Sequence, residues 1–171
     1  MTAVVDGSLG FTAPSGAIYN GLQVGTPVSP TSGTSVTFTN IPNWVKRVTV
    51  VLNNVSLSSG NLQVQVGSGS VSTSGYLCAA VGANSGGTGN TGSTSGFVTN
   101  LSSQVSGAII LTLVSSNTWS GIGLIGTNSG ASMSMNAGVS PTLSGALDRV
   151  VVTSLSGSAT FSAGTINIIY E

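Results

Sequence analysis

Residues 47–66 read RVTVVLNNVSLSSGNLQVQV. The first half is rich in Val and Leu, and in the second half Leu62, Val64 and Val66 alternate with polar residues. A period of two places successive side chains on opposite faces of a β-strand, so both halves indicate strands. The polar residues 58–60 between them are a turn signal. The stretch therefore predicts two β-strands that pair as a hairpin.

The same signals recur along the rest of the chain, and no long segment shows the 3.6-residue period of an amphipathic helix. Val36 and Phe38 alternate with threonines in a strand that Pro42 closes. Further strands are predicted at residues 71–81, 108–114, 118–126, 132–136, 147–155 and 165–170. Short strands between turns rich in Gly, Ser, Asn and Thr are typical of sandwiches, jelly rolls and barrels. We therefore predict an all-β protein, an antiparallel β-sandwich of the jelly-roll kind.

Charged side chains are almost absent from this chain. Its 171 residues include three Lys or Arg, three Asp or Glu and no His. These six are Asp6, Lys46, Arg47, Asp148, Arg149 and Glu171. Ordinary domains carry roughly a quarter charged residues, and acid–base catalysis and metal binding require such groups. The composition therefore predicts a structural or binding module, with no enzymatic activity, no metal and no cofactor.

The formal net charge of zero bears on the partners of the chain. Copies with so few charges do not repel one another, so self-association is expected. Three cations are too few for a nucleic-acid partner. The longest aliphatic run, residues 108–114, is far shorter than the roughly 20 residues of a spanning helix, so membrane insertion is not expected. Residues 1–10 do not read as a signal peptide, and synthesis in a cytoplasm is expected.

Prolines divide the chain into two predicted parts. Pro14, Pro27 and Pro30 interrupt every early stretch that would otherwise join a central sheet. Residues 1–32 are therefore predicted to form an extended N-terminal arm or peripheral strands. Residues 33–171 are predicted to form the sandwich domain.

One low-complexity tract lies inside that domain, at residues 82–96. It contains no apolar residue larger than Ala, so we predict a long surface loop there. No Lys follows its glycines in a phosphate-binding pattern. Cys78, just before the tract, has no second Cys to pair with and no His to act as its base. It is predicted to be a small buried hydrophobic residue and not a nucleophile.

The few charges cluster at predicted strand starts. Lys46 and Arg47 open one strand, and Asp148 opens another. If the two strands are neighbours, Asp148 pairs with Arg47 or Lys46, which would satisfy a carboxylate beneath a loop. The alternatives are a solvated charge or a catalytic acid. A catalytic role is the least favoured, because a lone carboxylate lacks the second acid or the His that hydrolysis normally requires.

Three aromatic residues are candidates for contact with a ligand at the surface: Trp44, Tyr76 and Trp119. An indole face suits a sugar ring, and stacking is a strong short-range contact for a chain without charges. The alternative for both Trp residues is packing in the core or at an interface, and we favour it.

Four segments carry a resemblance to a known family. They read IPNWVKRVTV at residues 41–50, SGYL at 74–77, LSGALDRV at 143–150 and GTINIIYE at 164–171. Over most of its length the chain resembles a domain at the carboxyl end of many bacteriophage tail-fibre and other virion proteins. The resemblance implies a β-rich virion domain that assembles as a homotrimer, is exposed on the particle and, in many relatives, takes part in host attachment. It brings no catalytic residues.

Two functions from different classes follow. The first is a tail-fibre or receptor-binding module that attaches to the host, with a host surface polysaccharide as one candidate receptor. The second is a capsid decoration or cement protein whose contacts are all with other virion proteins. An exposed aromatic residue favours the first, and an anchoring arm, such as residues 1–32, favours the second. A third possibility, a depolymerase, has the least support. We expect the first function.

Overall fold

The computed structural model describes residues 4–6, 10–12, 18–19, 21–84, 86–101, 104–128 and 132–171. Within these ranges there is no helix, and the strands pair antiparallel. The predicted antiparallel β-sandwich is therefore confirmed. No helix in the described ranges is long and apolar enough to cross a membrane.

The strands are β1 (Val4–Asp6), β2 (Gly10–Thr12), β3 (Ile18–Tyr19), β4 (Gln23–Val24), β5 (Ser35–Thr39), β6 (Arg47–Leu57), β7 (Leu62–Ser68), β8 (Ser70–Val71), β9 (Leu77–Asn84), β10 (Gly87–Ser93), β11 (Phe97–Val98), β12 (Val105–Ser115), β13 (Thr118–Thr127), β14 (Met133–Val139), β15 (Arg149–Ser154) and β16 (Phe161–Tyr170). The larger sheet has the order β10-β9-β14-β13-β12-β6-β16-β4. The smaller sheet has the order β11-β7-β15-β5, with β8 paired to β7, and β1 to β3 form a separate sheet.

The core lies between the two sheets and is mainly aliphatic. From the larger sheet, Val48, Ile109 and Ile166 are fully buried, and from the smaller sheet Val64 and Val152 face them. In β5 and β6 alternate residues point inward, so burial follows the period of two that the sequence displays. In β7 and β15 nearly every residue is buried, so both faces of these two strands are covered. Each sheet thus presents one apolar face to the other.

The predicted hairpin between β6 and β7 is wrong. β6 pairs with β12 and β16 in the larger sheet, whereas β7 pairs with β11 and β15 in the smaller one. The connection at residues 58–61 therefore crosses from one sheet to the other. Its polar residues gave the turn signal correctly, but a turn signal does not specify whether the next strand pairs with the last or packs across from it.

The predicted loop at residues 82–96 is also wrong in part. β9 continues to Asn84, and β10 (Gly87–Ser93) pairs with it along its whole length, from Gly87↔Asn84 to Ser93↔Cys78. β10 is the edge strand of the larger sheet, and most of its residues are exposed. A strand held by backbone hydrogen bonds at a solvent-exposed edge needs no apolar side chains. Its composition therefore resembles that of a loop.

Part of the predicted arm lies along the sandwich. β4 pairs with the end of β16, and Val28 forms an isolated bridge with Ile166. Residues 21–28 thus cover one edge of the larger sheet. The domain boundary at residue 33 remains a prediction.

Candidate functional site

Tyr76 is buried, which corrects its prediction as a surface contact. Its side chain is 0% exposed, and its ring packs edge-on against Phe97 with the centroids 5.4 Å apart. The hydroxyl accepts a hydrogen bond from the backbone N of Val66 over 2.8 Å and lies 3.0 Å from the backbone O of Ser72. Burial raises the pKa of Tyr76 to about 12. The phenol of Tyr76 thus stabilises the core and the backbone around it and is not available to a ligand at the surface.

Trp119 is also buried, at 2% exposed. Its backbone N donates to Ser140 Oγ over 3.0 Å, and its indole Nε1 has no hydrogen-bond partner among the described residues. The interpretation as a surface contact is wrong here too. The alternative, core packing, is confirmed.

Trp44 is the candidate that remains partly exposed. It lies in a turn that the hydrogen bond from Val45 N to Pro42 O closes over 3.1 Å. Its ring packs against Tyr170 at the end of β16, with the centroids 6.1 Å apart and the planes tilted by 46°. The two rings form a pair near one end of the sandwich.

A cleft of about 430 Å³ opens beside this pair, between the edge strands of the two sheets. Residues 24–28 of the segment around β4 form one wall, residues 37–41 at the end of β5 form the opposite wall, and Ile168 and Tyr170 of β16 close the floor. Tyr170 thus belongs both to the cleft and to the aromatic pair.

The polar groups of the cleft are uncharged. Thr26, Thr37 and Thr39 supply hydroxyl groups, Asn40 supplies an amide, and Tyr170 supplies a phenol. All of the first four residues are exposed. None of the residues that line the cleft carries a charge. Such a lining offers hydrogen bonds and the aromatic ring of Tyr170, beside the buried Phe38, to a neutral, hydroxylated ligand.

The wall next to β16 is held by close backbone approach. Gly25 N donates to Ile168 O over 2.8 Å, and Asn167 Nδ2 donates to Gly25 O over 3.0 Å. A Cβ atom at Gly25 would lie 2.9 Å from both the Asn167 and the Ile168 side chains. Glycine therefore allows this segment to lie directly on β16, which sets the width of the cleft.

The predicted ion pair is wrong in its partners. Arg149 Nε donates to Asp148 Oδ1 over 2.7 Å, and Arg47 pairs instead with Glu171, Nη1 to Oε1, over 3.1 Å. Lys46 takes part in neither pair. The reason is topological, since Arg47 begins β6 in the larger sheet and Asp148 precedes β15 in the smaller one.

Asp148 has a structural setting. Its Oδ2 accepts from the backbone N of Gly69 over 2.9 Å, at the turn between β7 and β8. The hydrogen bond from Arg149, together with that from Gly69, holds the pKa of the Asp148 carboxyl below its usual range. The carboxylate thus ties the start of β15 to a neighbouring turn.

Cys78 is buried, as predicted, and burial raises the pKa of its thiol. In the part of the chain that the structure describes, no three His, Cys, Asp or Glu residues come together in a way that could hold a metal ion.

A second surface feature is apolar and lies on the outer face of the larger sheet. Five of its side chains are each between 48% and 57% exposed. They are Val81 on β9, Ile122 and Leu124 on β13, and Met133 and Met135 on β14. We call these five residues the outer apolar patch.

Comparison with known proteins gave no match. No family model, no curated protein and no solved structure matches this chain.

Sequence reasoning did not find the cleft or the outer apolar patch. The cleft combines three segments that are far apart in the chain. The pairing of β4 with β16 and the packing of the sheet that contains β5 bring them together. The patch had a signal, because Ile122 and Leu124 alternate with Gly121 and Gly123. That alternation marks a strand with two unlike faces, but not which face is inside.

Proposed function

We propose that this protein is a bacteriophage virion structural protein, a tail-fibre or receptor-binding module that mediates host attachment without catalysis. The observation that carries the proposal is the neutral cleft beside the Trp44–Tyr170 pair. The resemblance of the sequence to the ends of tail fibres supports the same function. The chemistry of the cleft suits a host surface polysaccharide.

The contacts would be of two kinds. Sugar hydroxyl groups would exchange hydrogen bonds with Thr26, Thr37 and Asn40, and the C–H face of a sugar ring would pack on Tyr170. Because no charge lines the cleft, binding should depend little on salt. A single open site of this kind binds weakly, and several copies on one particle would raise the avidity.

The test is adsorption of the purified protein to bacterial cells and to their isolated surface polysaccharides. Thr37→Ala removes a hydroxyl from the cleft, and Tyr170→Ala removes the ring of Tyr170 from its floor. Thr73→Ala is the matched control, because Thr73 is an exposed threonine outside the cleft. We expect at least tenfold weaker adsorption for Tyr170→Ala, a smaller loss for Thr37→Ala and no change for Thr73→Ala. Because Tyr170→Ala also removes the partner of Trp44, each variant is first shown to unfold cooperatively.

Two results would overturn the proposal. The first is adsorption that collapses as salt is added, since it would indicate charge contacts. The second is adsorption that neither cleft variant weakens, since it would place binding elsewhere.

The alternative function is capsid decoration, and the burial of Tyr76 and Trp119 favours it. With both inside the core, Trp44 is the one partly exposed aromatic among the three candidates, and adhesion by stacking has fewer groups to use. Imaging labelled protein on particles distinguishes the two functions. A position at the tail tip supports attachment, and a position on the capsid shell supports decoration.

A further inference from the structure

The outer apolar patch is continuous across three neighbouring strands. In the strand register, Val81 on β9 lies opposite Met135 on β14, and Met135 lies opposite Leu124 on β13. The next strand, β12, places Ala108 opposite Leu124. Side chains in directly opposite positions lie about 5 Å apart, so the row forms one surface.

The patch lies on strands without any charge. β9, β12, β13 and β14 contain no Asp, Glu, Lys or Arg. In a sheet with one face in solvent, each strand normally alternates apolar residues on the core side with polar or charged residues on the solvent side. Here the outer positions are occupied by Ile, Leu, Met and Val. Burial of such a face against another surface removes apolar area from water and therefore lowers the free energy.

We propose that the outer apolar patch is the interface through which copies of this chain associate. The inference is independent of the function proposed above, because it concerns assembly and requires no receptor. A second copy would cover the large apolar side chains that the fold leaves exposed on this face.

The size of the patch fits an interface between protein chains. Five side chains of this size, each about half exposed, contribute about 500 Å² of apolar surface. A stable interface buries about 800 Å² on each partner. Largest patches on ordinary monomers are about 300–600 Å². The five side chains alone thus supply more than half of the area that one copy contributes to a stable assembly.

The relief of the patch suits a second copy. An apolar depression of about 380 Å³ lies in the patch, lined by Ala108, Ile110, Ile122, Gly123 and Leu124. Met133 and Met135 stand beside it on β14. Methionine is flexible and fills irregular apolar gaps. One surface therefore carries both an apolar hollow and flexible apolar side chains that can enter the hollow of a second copy.

Electrostatics favour the same partner. The chain has zero formal net charge, so two copies meet without long-range repulsion and without burying a charge. A strongly charged partner would gain nothing from this surface.

The experiment measures the mass of the full chain by light scattering and sedimentation equilibrium. We expect a multiple of the 16.7 kDa chain mass, and three copies if the homotrimer that the resemblance implies is correct. Leu124→Lys places a charge in the patch and should weaken association at least 100-fold. Val114→Lys is the matched control, because Val114 is 62% exposed on the same sheet but lies near the β12–β13 turn, outside the patch.

A wild-type mass of one chain at about 100 μM, where proteins with weak interfaces already associate, would overturn the proposal. So would an assembly that Leu124→Lys leaves intact, or one that both lysine variants dissociate equally.

A second measurement uses the unaltered protein, in case the lysine variant does not fold. Peroxide oxidises exposed methionines. We expect the oxidation of Met133 and Met135 to slow as the protein concentration rises, because association covers both side chains. Rates independent of concentration in a sample whose mass shows association would place the interface elsewhere. Adsorption to polysaccharide plays no part in either measurement, so this proposal and the proposed function fail separately.

Discussion

Tyr76 connects the two sheets through its ring and its hydroxyl group. The ring packs on Phe97 in the core, and the hydroxyl is bonded to the backbone of Val66 on β7. The residue itself immediately precedes β9 of the larger sheet. Because a buried backbone N–H without a partner costs about 1 to 3 kcal/mol, this one oxygen atom has a large effect on stability.

Tyr76→Phe should therefore lower the free energy of unfolding by about 1 to 3 kcal/mol, because Val66 N loses its acceptor. Urea denaturation measures the change, and Tyr170→Phe, on a ring at the open cleft, should cost less. The pKa of Tyr76 is raised in the folded state to about 12. The contribution of the Tyr76 hydroxyl to the free energy of unfolding is therefore complete below the ordinary tyrosine pKa of about 10. It is lost as the pH rises toward the pKa of the folded state. Equal losses in the two variants would contradict the role of the Tyr76 hydroxyl.

Asp148 gives the opposite dependence on pH. Its pKa is lowered in the folded state, so its contribution is present above the ordinary Asp pKa of about 3.9 and is lost as the pH falls toward the folded value. Its side chain is 38% exposed, so solvent screens the pair, and Asp148→Ala should cost only about 1 kcal/mol at neutral pH. The difference from the wild type should shrink below about pH 4. A difference in the free energy of unfolding that stays constant down to pH 2 would show that the charge of the Asp148 carboxylate does not stabilise the folded state.

Among the strands, β13 shows how packing decides which face of a strand is buried. A Cβ atom at Gly121 would lie 2.5 to 3.0 Å from three atoms of the Phe97 ring. The ring occupies the space above the glycine, so the glycine side of β13 faces the core and Ile122 and Leu124 face outward. The outward position of Ile122 and Leu124, the part of the outer apolar patch on β13, therefore goes with the packing of Phe97 on Gly121.

Gly121→Ala should lower the free energy of unfolding by about 1 to 3 kcal/mol, because the added methyl group overlaps the Phe97 ring. Gly126→Ala is the control on the same strand, where the nearest atom to a new Cβ lies 3.9 Å away. Thermal denaturation of both variants makes the comparison. A loss in Gly126→Ala as large as that in Gly121→Ala would indicate an effect of the strand backbone and not of the ring contact.

The strands that the sequence predicts best are those with apolar residues on a buried face. Residues 47–57 and 118–126 correspond closely to β6 and β13, because β-branched and aliphatic residues with turn signals at both ends determine a strand locally. β10 was missed, because its stability comes from backbone pairing at an edge and its side chains carry no signal. The partner of β6 was missed because pairing depends on contacts between distant parts of the chain.

At the scale of the whole molecule, the scarcity of charge could be read directly from the sequence. The positions of the two uncharged surfaces, the cleft and the outer apolar patch, could not. The cleft exists because β4 lies on β16 while β5 ends on the facing sheet, and no local pattern encodes that arrangement. Tyr76 and Trp119 were candidates for surface contact because an exposed aromatic residue among Ser, Thr and Asn favours adhesion, although packing in the core or at an interface was favoured for Trp119. Their burial follows from the space between two sheets, which large rings fill.

Association through the outer apolar patch also predicts how the stability of the whole molecule depends on concentration. When folded chains bind one another, mass action stabilises the folded state, so the melting temperature should rise by about 1 to 3 °C for each tenfold increase in protein concentration. Leu124→Lys should abolish the dependence, whereas Val114→Lys should keep it. Because the strands of the patch carry no charge, the dependence should be nearly the same at low and high salt. Differential scanning calorimetry over a hundredfold range of concentration measures it. A wild-type melting temperature that does not change over that range would mean that the large apolar side chains on this face remain in water in the native protein.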